Sequence, residues 1–176
     1  GFAKYNGKYV CIFRNDYRDA PRETYCDAPV TISLGLAFSD DGVNWNVTGK
    51  PCWEIHTDEI RHIYDPRLTV IDGKCYVCFA MDTWHGVRGG IAVTEDFDKF
   101  EILNLAVPEN RNMVLFPEKI NGKYAMLHRP TAFIPWTLPL HYHPGCIWLA
   151  FSDRLDFWST NKSEMGFADY VLYDDA

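Results

Sequence analysis

The sequence predicts an all-β chain that forms about three blades of a larger β-propeller. Three observations carry this. A hairpin turn recurs as Tyr5-Asn6-Gly7-Lys8, Ile71-Asp72-Gly73-Lys74 and Ile120-Asn121-Gly122-Lys123. Each copy is followed by a strand, an acidic turn and an aromatic: Leu34 to Trp45, Gly90 to Phe100 and Ile147 to Trp158. Alternating apolar residues outnumber helix-period matches, and aromatic residues reach 15%, which favours strands.

The first hairpin runs from Tyr5 to Arg14 and the second from Ile71 to Ala80. The third extends from Asn110 to Pro130. An apolar run from Met113 to Phe116 leads through Pro117 to the turn, and Lys123 to Leu127 forms the returning strand. Asn-Gly and Asp-Gly suit a type I′ turn, because both central positions want positive φ. The turn glycines are 66 and then 49 residues apart, and Ser39, Thr94 and Ser152 are spaced by 55 and then 58. Two strands per hairpin and two around each acidic turn make four per period, the content of a propeller blade. A β-sandwich would not repeat one turn sequence three times.

Propellers close with roughly 4 to 8 blades, so three repeats read as an incomplete propeller domain over residues 1–176. Asn15 to Ser33 and Thr131 to Gly145 read as loops, and rim loops are where ligand contacts gather. In the second loop His141 and His143 share a face without an evident third metal ligand. Asp40-Asp41-Gly42 and Asp96 read as turn formers.

A net charge of −7 speaks against nucleic acid or an anionic membrane as partner. No apolar run approaches the ~20 residues of a membrane span. Cys11, Cys75, Cys78 and Cys146 lie in apolar, strand-like runs and read as buried thiols, and Cys75 and Cys78 point to opposite faces of one strand. A reduced, cytoplasmic chain without a bound metal is the expectation.

The polar residues converge. Arg14 and Arg129 hold the same repeat position, where the middle repeat has Ala80. Asp65 precedes Pro66, which biases it to extended backbone; Asp65 and Arg67 then project to one side. Arg111 precedes the third hairpin's first strand and Arg129 follows its second, so the hairpin folds one back towards the other. Two guanidiniums repel unless an anion or carboxylate lies between them. Repeat-equivalent positions face a common channel, which brings Arg14, Asp65, Arg111, Asn112 and Arg129 to one pocket.

These residues resemble glycoside hydrolase family 130, the mannoside phosphorylases and related mannosidases, which fold as five-bladed propellers. The resemblance rests on Phe13-Arg14, on Ser39 to Trp45 and on Tyr64-Asp65-Pro66-Arg67. Most specific is the run from Asn110-Arg111-Asn112 through Leu115-Phe116-Pro117 to Leu127-His128-Arg129-Pro130. It implies that Asp65 is the catalytic acid, delivering its proton through the mannose 3-hydroxyl. It implies that Arg111, Asn112 and Arg129 bind phosphate, and that Arg14, Tyr64, Arg67 and His128 contact the sugar substrate. The implied reaction is inverting phosphorolysis of a β-mannoside, giving α-mannose 1-phosphate. Inorganic phosphate is then a co-substrate, no cofactor or metal is called for, and a homo-oligomer stays open.

Elementary chemistry agrees. An inverting hydrolase needs two carboxylates, one to activate water, whereas phosphate is already an anionic nucleophile that arginines can hold in line. The rivals are a β-mannosidase that uses water and a non-catalytic propeller that binds glycans. The family's Asn-containing stretch falls before Gly1, and its last two blades fall beyond residue 176. With those blades go a phosphate-binding histidine and a mannose-binding aspartate. The 176 residues alone are therefore expected to be inactive. Linkage and acceptor sugar depend on the loops.

Overall fold

The computed structural model describes residues 1–18, 30–55, 57–130 and 147–158, together with the backbone of 170–173. Every regular element among them is a strand. In chain order these are β1 (Phe2–Tyr5), β2 (Lys8–Tyr17), β3 (Thr31–Ser39), β4 (Asn46–Val47), β5 (Ile60–Ile71) and β6 (Lys74–Thr83). They continue with β7 (Gly86–Thr94), β8 (Glu101–Leu105), β9 (Asn110–Leu115), β10 (Tyr124–Pro130), β11 (Ile147–Ser152) and β12 (Tyr170–Tyr173).

The strands form three antiparallel meanders of four, one per sequence repeat: β1–β4, β5–β8 and β9–β12. A single parallel bridge, Arg88 opposite Asn110, links the second meander to the third. The three turns are as predicted. Asn6 and Gly7 have φ of 48° and 82°, Asp72 and Gly73 have 50° and 76°, and Asn121 and Gly122 have 51° and 80°.

The acidic turns close as the repeat requires. The hydroxyl of Ser39 accepts the amide of Gly42 at 2.8 Å, that of Thr94 accepts Phe97 at 2.9 Å, and that of Ser152 accepts Arg154 at 3.1 Å. Asp41 accepts the amides of Val43 and Asn44, and these bonds, led by Asn44, hold its carboxyl well below the usual range. Asp96 accepts the amides of Asp98 and Lys99 in the same way, so Asp41 and Asp96 are turn formers, whereas Asp40 pairs with Lys8.

Two segments differ from expectation. Asn15 to Ser33 is a loop only in part, because Asn15, Asp16 and Tyr17 pair with Ser33, Ile32 and Thr31. Burial of Ile32 against Tyr64 and Ala80 extends the ladder. Residues 19–29 of that loop, and all of Thr131 to Gly145 with His141 and His143, lie outside the described residues. The third hairpin is also longer at its open end, so that Arg111 lies inside β9 and Arg129 inside β10.

The core is made by stacking meanders face to face. Strand β6 is buried from Cys75 to Met81. Its alternate residues Cys75, Val77, Phe79 and Met81 pack with Val10, Ile12, Leu34 and Leu36 of the first meander. Tyr76 and Cys78 pack with Met113, Leu115 and Met126 of the third. A strand covered on both faces reads as a continuous apolar run. The two thiols therefore sit in different cores, and burial pushes Cys75 up to about 11 and Cys78 up to about 12.

Phe13 and Phe79 each lie across the ladder from a glycine, Gly35 and Gly90, onto which the ring folds. A Cβ at Gly90 would run into the Phe79 ring, whereas one at Gly73 meets nothing within 4 Å and is opposed only by its φ of +76°. Gly90→Ala should therefore cost about 1–3 kcal/mol through overpacking, and Gly73→Ala only about 1 kcal/mol through backbone strain. Denaturant unfolding of the two full-length variants checks the order; a reversed cost would contradict the stacking.

Candidate active site

The site forms where β5 and β9 enter their meanders, and each strand carries a one-residue bulge there. Tyr64 pairs with Ala80 and Arg67 with Cys78, so Asp65 and Pro66 together oppose Phe79. Val114 pairs with Leu127 and Arg111 with Arg129, so Asn112 and Met113 together oppose His128. The first bulge residue is left-handed in both, with φ of 53° at Asp65 and 57° at Asn112. Asp and Asn tolerate that region best among residues with a side chain.

The expectation that Pro66 keeps Asp65 extended, with Arg67 on the same side, is therefore corrected. A bulge of this kind asks for positive φ at its first residue, and the ladder on either side outweighs the local preference before proline. Arg67 donates Nη1 to the main-chain carbonyl of Asp65 at 3.1 Å. Its hold is on the bulge backbone rather than on the carboxylate.

Tyr64, the residue before the bulge, joins the three repeats. It lies across the ladder from Ala80, and the two are buried together with Ile32. Ala80 occupies the position that holds Arg14 and Arg129 in the other repeats, and its small side chain leaves room for the phenol. Charge comes instead from the neighbouring meanders. The guanidinium of Arg14 stacks 5.0 Å from the ring centroid, held from behind by Asp16 at 2.5 Å. Asp16, by hydrogen bond and charge, and then Asp65 by charge, raise the pKa of Arg14. The phenol donates to Asp82 Oδ1 at 2.6 Å. Burial and Asp82 raise the phenol's pKa, while Arg111, lying against its oxygen, opposes the rise by charge and hydrogen bonding.

Arg111 and Arg129 are direct cross-strand partners. The Nε of each is buried without a hydrogen-bond partner, as is Nε2 of His128. His128 holds the repeat position of Phe13 and Phe79, and Trp148 stands where they have glycine. A polar ring thus replaces an apolar one at this repeat alone. Of its two contacts with the buried Asn110, the shorter is Asn110 Nδ2 to Nδ1 at 3.0 Å, against 3.3 Å to Oδ1. Burial lowers the pKa of His128 from 6.5 to about 4, so the ring is neutral at pH 7. His128, next to Arg129 on β10, points to the other face of the strand; the two buried guanidinium Nε donors, paired across β9 and β10, fit an anion with several acceptor oxygens.

The structure thus brings Arg14, Tyr64, Asp65, Arg111, Arg129 and His128 to one end of the meanders, with Asn112 in the second bulge. Sequence reasoning missed Asp82 and gave no role to His62 or Asn110. The available signal was position: Asp82 lies two residues beyond Ala80 on β6, on the same face. Among the described residues no group of three His, Cys, Asp or Glu side chains has an arrangement that would hold a metal. No helix among them is long and apolar enough to cross a membrane. A cavity of about 270 Å³ reaches Asn110 and His128 from the side of Asn104, Phe157 and Trp158, but none of the arginines lines it.

Comparison with known proteins identifies the chain's relatives. A family model described as beta-1,4-mannooligosaccharide phosphorylase matches residues 6–176. The chain is 31% identical over 173 residues to the beta-1,4-mannooligosaccharide phosphorylase of Ruminococcus albus, covering 91% of this chain and 45% of that protein. It is 37% identical over 134 residues to the 1,2-beta-oligomannan phosphorylase of a Thermoanaerobacter species, covering 73% of this chain and 41% of the relative. The chain thus spans less than half the length of these curated relatives. Among solved structures, the beta-1,2-mannobiose phosphorylase of Listeria innocua superposes with a TM-score of 0.74 at 23% identity, over 91% of this chain and 56% of that one. The GH32 beta-fructofuranosidase of Bombyx mori superposes at 0.64 and 17% identity, over 87% of this chain and 33% of that one. At those identities the two structures speak for the fold.

The neutral His128 has a consequence for stability. Its folded pKa of about 4 lies below the ordinary 6.5, so the folded state binds fewer protons between those values. Its contribution is complete above pH ~6.5 and is lost as pH falls through about 4, amounting to about 3 kcal/mol. In phosphate-free buffer, urea unfolding of the full-length protein should show this loss, and His128→Gln should flatten it. A mutant with the wild-type pH slope would contradict the buried neutral ring.

Proposed function

Because the chain belongs to glycoside hydrolase family 130, we propose that this site is the cleavage site of an inverting β-mannoside phosphorylase. The observation that carries the reading is the buried, unpartnered Nε of Arg111 and Arg129, held face to face by the β9–β10 register. In this reading the three meanders are blades of a five-bladed propeller, and its other blades add the remaining sugar contacts.

Phosphate is the co-substrate. Arg111, Arg129 and Asn112 hold it, and one of its oxygens attacks the anomeric carbon of the mannosyl residue. Attack comes from the face opposite the glycosidic oxygen. The bond from that carbon to the glycosidic oxygen breaks, and its electron pair leaves with the acceptor sugar. Asp65 supplies the proton through the mannose 3-hydroxyl and recovers it from solvent. The products are α-mannose 1-phosphate and the shortened acceptor. Tyr64 and Arg14 line the mannosyl site, and Arg67 keeps the Asp65 bulge in shape. Asp82, the other carboxylate beside Tyr64, has its two oxygens engaged by Tyr64 and His62, which supports phosphate rather than activated water as nucleophile. No cofactor is called for. Free thiols at Cys11, Cys52, Cys75 and Cys78 support a reducing, cytoplasmic setting.

The test uses variants of the full-length protein. Asp65→Asn keeps a residue that tolerates positive φ, as Asn112 does in the equivalent bulge. It should lose turnover by a factor of about 100 or more while still binding mannoside. Arg111→Ala and Arg129→Ala should each lower release of mannose 1-phosphate about 100-fold or more at fixed phosphate. Unchanged phosphate dependence in both arginine variants would overturn the reading.

A further inference from the structure

Asp82 belongs to none of the motifs, yet it organises the residue that joins the three repeats. It stands across the β5–β6 ladder from His62, and its two oxygens reach two side chains of β5. Oδ1 accepts the Tyr64 phenol at 2.6 Å, and Oδ2 meets His62 Nδ1 at 3.1 Å. His62 and Tyr64 are two residues apart and share a face of the strand, so one carboxylate holds both. Ala80, two residues before Asp82, leaves the space that the phenol fills. The ring thus held carries Arg14 from the first meander at 5.0 Å.

We propose that Asp82 is a positioning residue for the anion site: it fixes the Tyr64 phenol so that its ring seats Arg14 and its oxygen meets Arg111. The inference rests on the phosphorylase reading. Its physical content is the polarity of one hydroxyl. A phenol has one hydrogen and two lone pairs. With the hydrogen committed to Asp82, only lone pairs remain on the oxygen for a cation, and Arg111 is the neighbouring guanidinium whose charge acts on it. Without Asp82 the hydroxyl can turn its hydrogen towards Arg111, and the guanidinium loses its rest.

The experiment is a double-mutant cycle in the full-length protein with Asp82→Ala, Tyr64→Phe and their combination, joined by Asp82→Asn. Inorganic phosphate and β-1,4-mannobiose are the probes. KM for phosphate, kcat and thermal unfolding are read for each. Asp82→Ala should raise KM for phosphate about tenfold or more, the scale of a lost hydrogen bond to a charged group. In the Tyr64→Phe background the same change should add less than about twofold, because residues that act through one another are not additive. Asp82→Asn keeps an oxygen for the phenol and should stay within about threefold of wild type. An unchanged KM in Asp82→Ala, or full multiplication of the two single effects, overturns the inference. A drop in unfolding temperature with all kinetic constants intact does the same, since that is a purely structural role. If wild-type turnover ignores phosphate, the phosphorylase reading fails and takes the inference with it.

Discussion

The arrangement depends on one extra residue in a ladder. Because side chains alternate across a strand, inserting one residue exchanges the faces for everything that follows. In β5 the bulge at Asp65 does this between Ile63, which faces Met81, and Leu68, which faces Val77. Met81 and Val77 belong to the same core cluster. The strand therefore keeps one continuous apolar face while its alternation changes phase. What the phase change leaves over is a carboxylate on a left-handed residue, outside the regular pairing. The same device recurs at Asn112 in β9.

Charge placement follows from the same geometry. Each repeat has room for one arginine at the end of its second hairpin strand, and the middle repeat gives that room to Tyr64 by having Ala80. The phenol ring then carries Arg14, and the charge of Arg111 acts on its oxygen. In a chain of net charge −7, gathering Arg14, Arg111 and Arg129 at one end is unfavourable by itself. Asp16 offsets part of it at the rim, while the buried Nε groups of Arg111 and Arg129 stay uncompensated by protein. An anion with several oxygens relieves both the repulsion and the unmet donors. Electrostatics and hydrogen-bond capacity thus select the same ligand chemistry.

Much of this was legible in the sequence because repeats multiply weak signals. One Asp-Gly or Asn-Gly pair marks a turn; three at equivalent places mark an architecture, and all three adopt the expected positive φ. The thiols of Cys75 and Cys78 on opposite faces were legible for a similar reason, since strand alternation is rigid. The bulges were not. Pro66 speaks locally for an extended Asp65, and only the long-range pairing of β5 with β6 overrides it. The phase change from Ile63 to Leu68 and Val70 was present in the sequence, but it acquires meaning only once the partner strand is known. Asp82 was invisible for the same cause: its role is set by a cross-strand neighbour, and Asp-Thr before a turn reads as turn chemistry. His128 was legible as part of a motif. That it replaces a phenylalanine folded over glycine required the register.

The most direct test is the source of the nucleophile. The full-length protein would be incubated with β-1,4-mannobiose, and in parallel with β-1,2-mannobiose, with and without inorganic phosphate, and followed by phosphorus NMR. A mannose 1-phosphate signal that grows only when phosphate is supplied is the expected result. Free mannose released at the same rate in both samples would mean that water is the nucleophile and that the buried arginine pair serves another purpose.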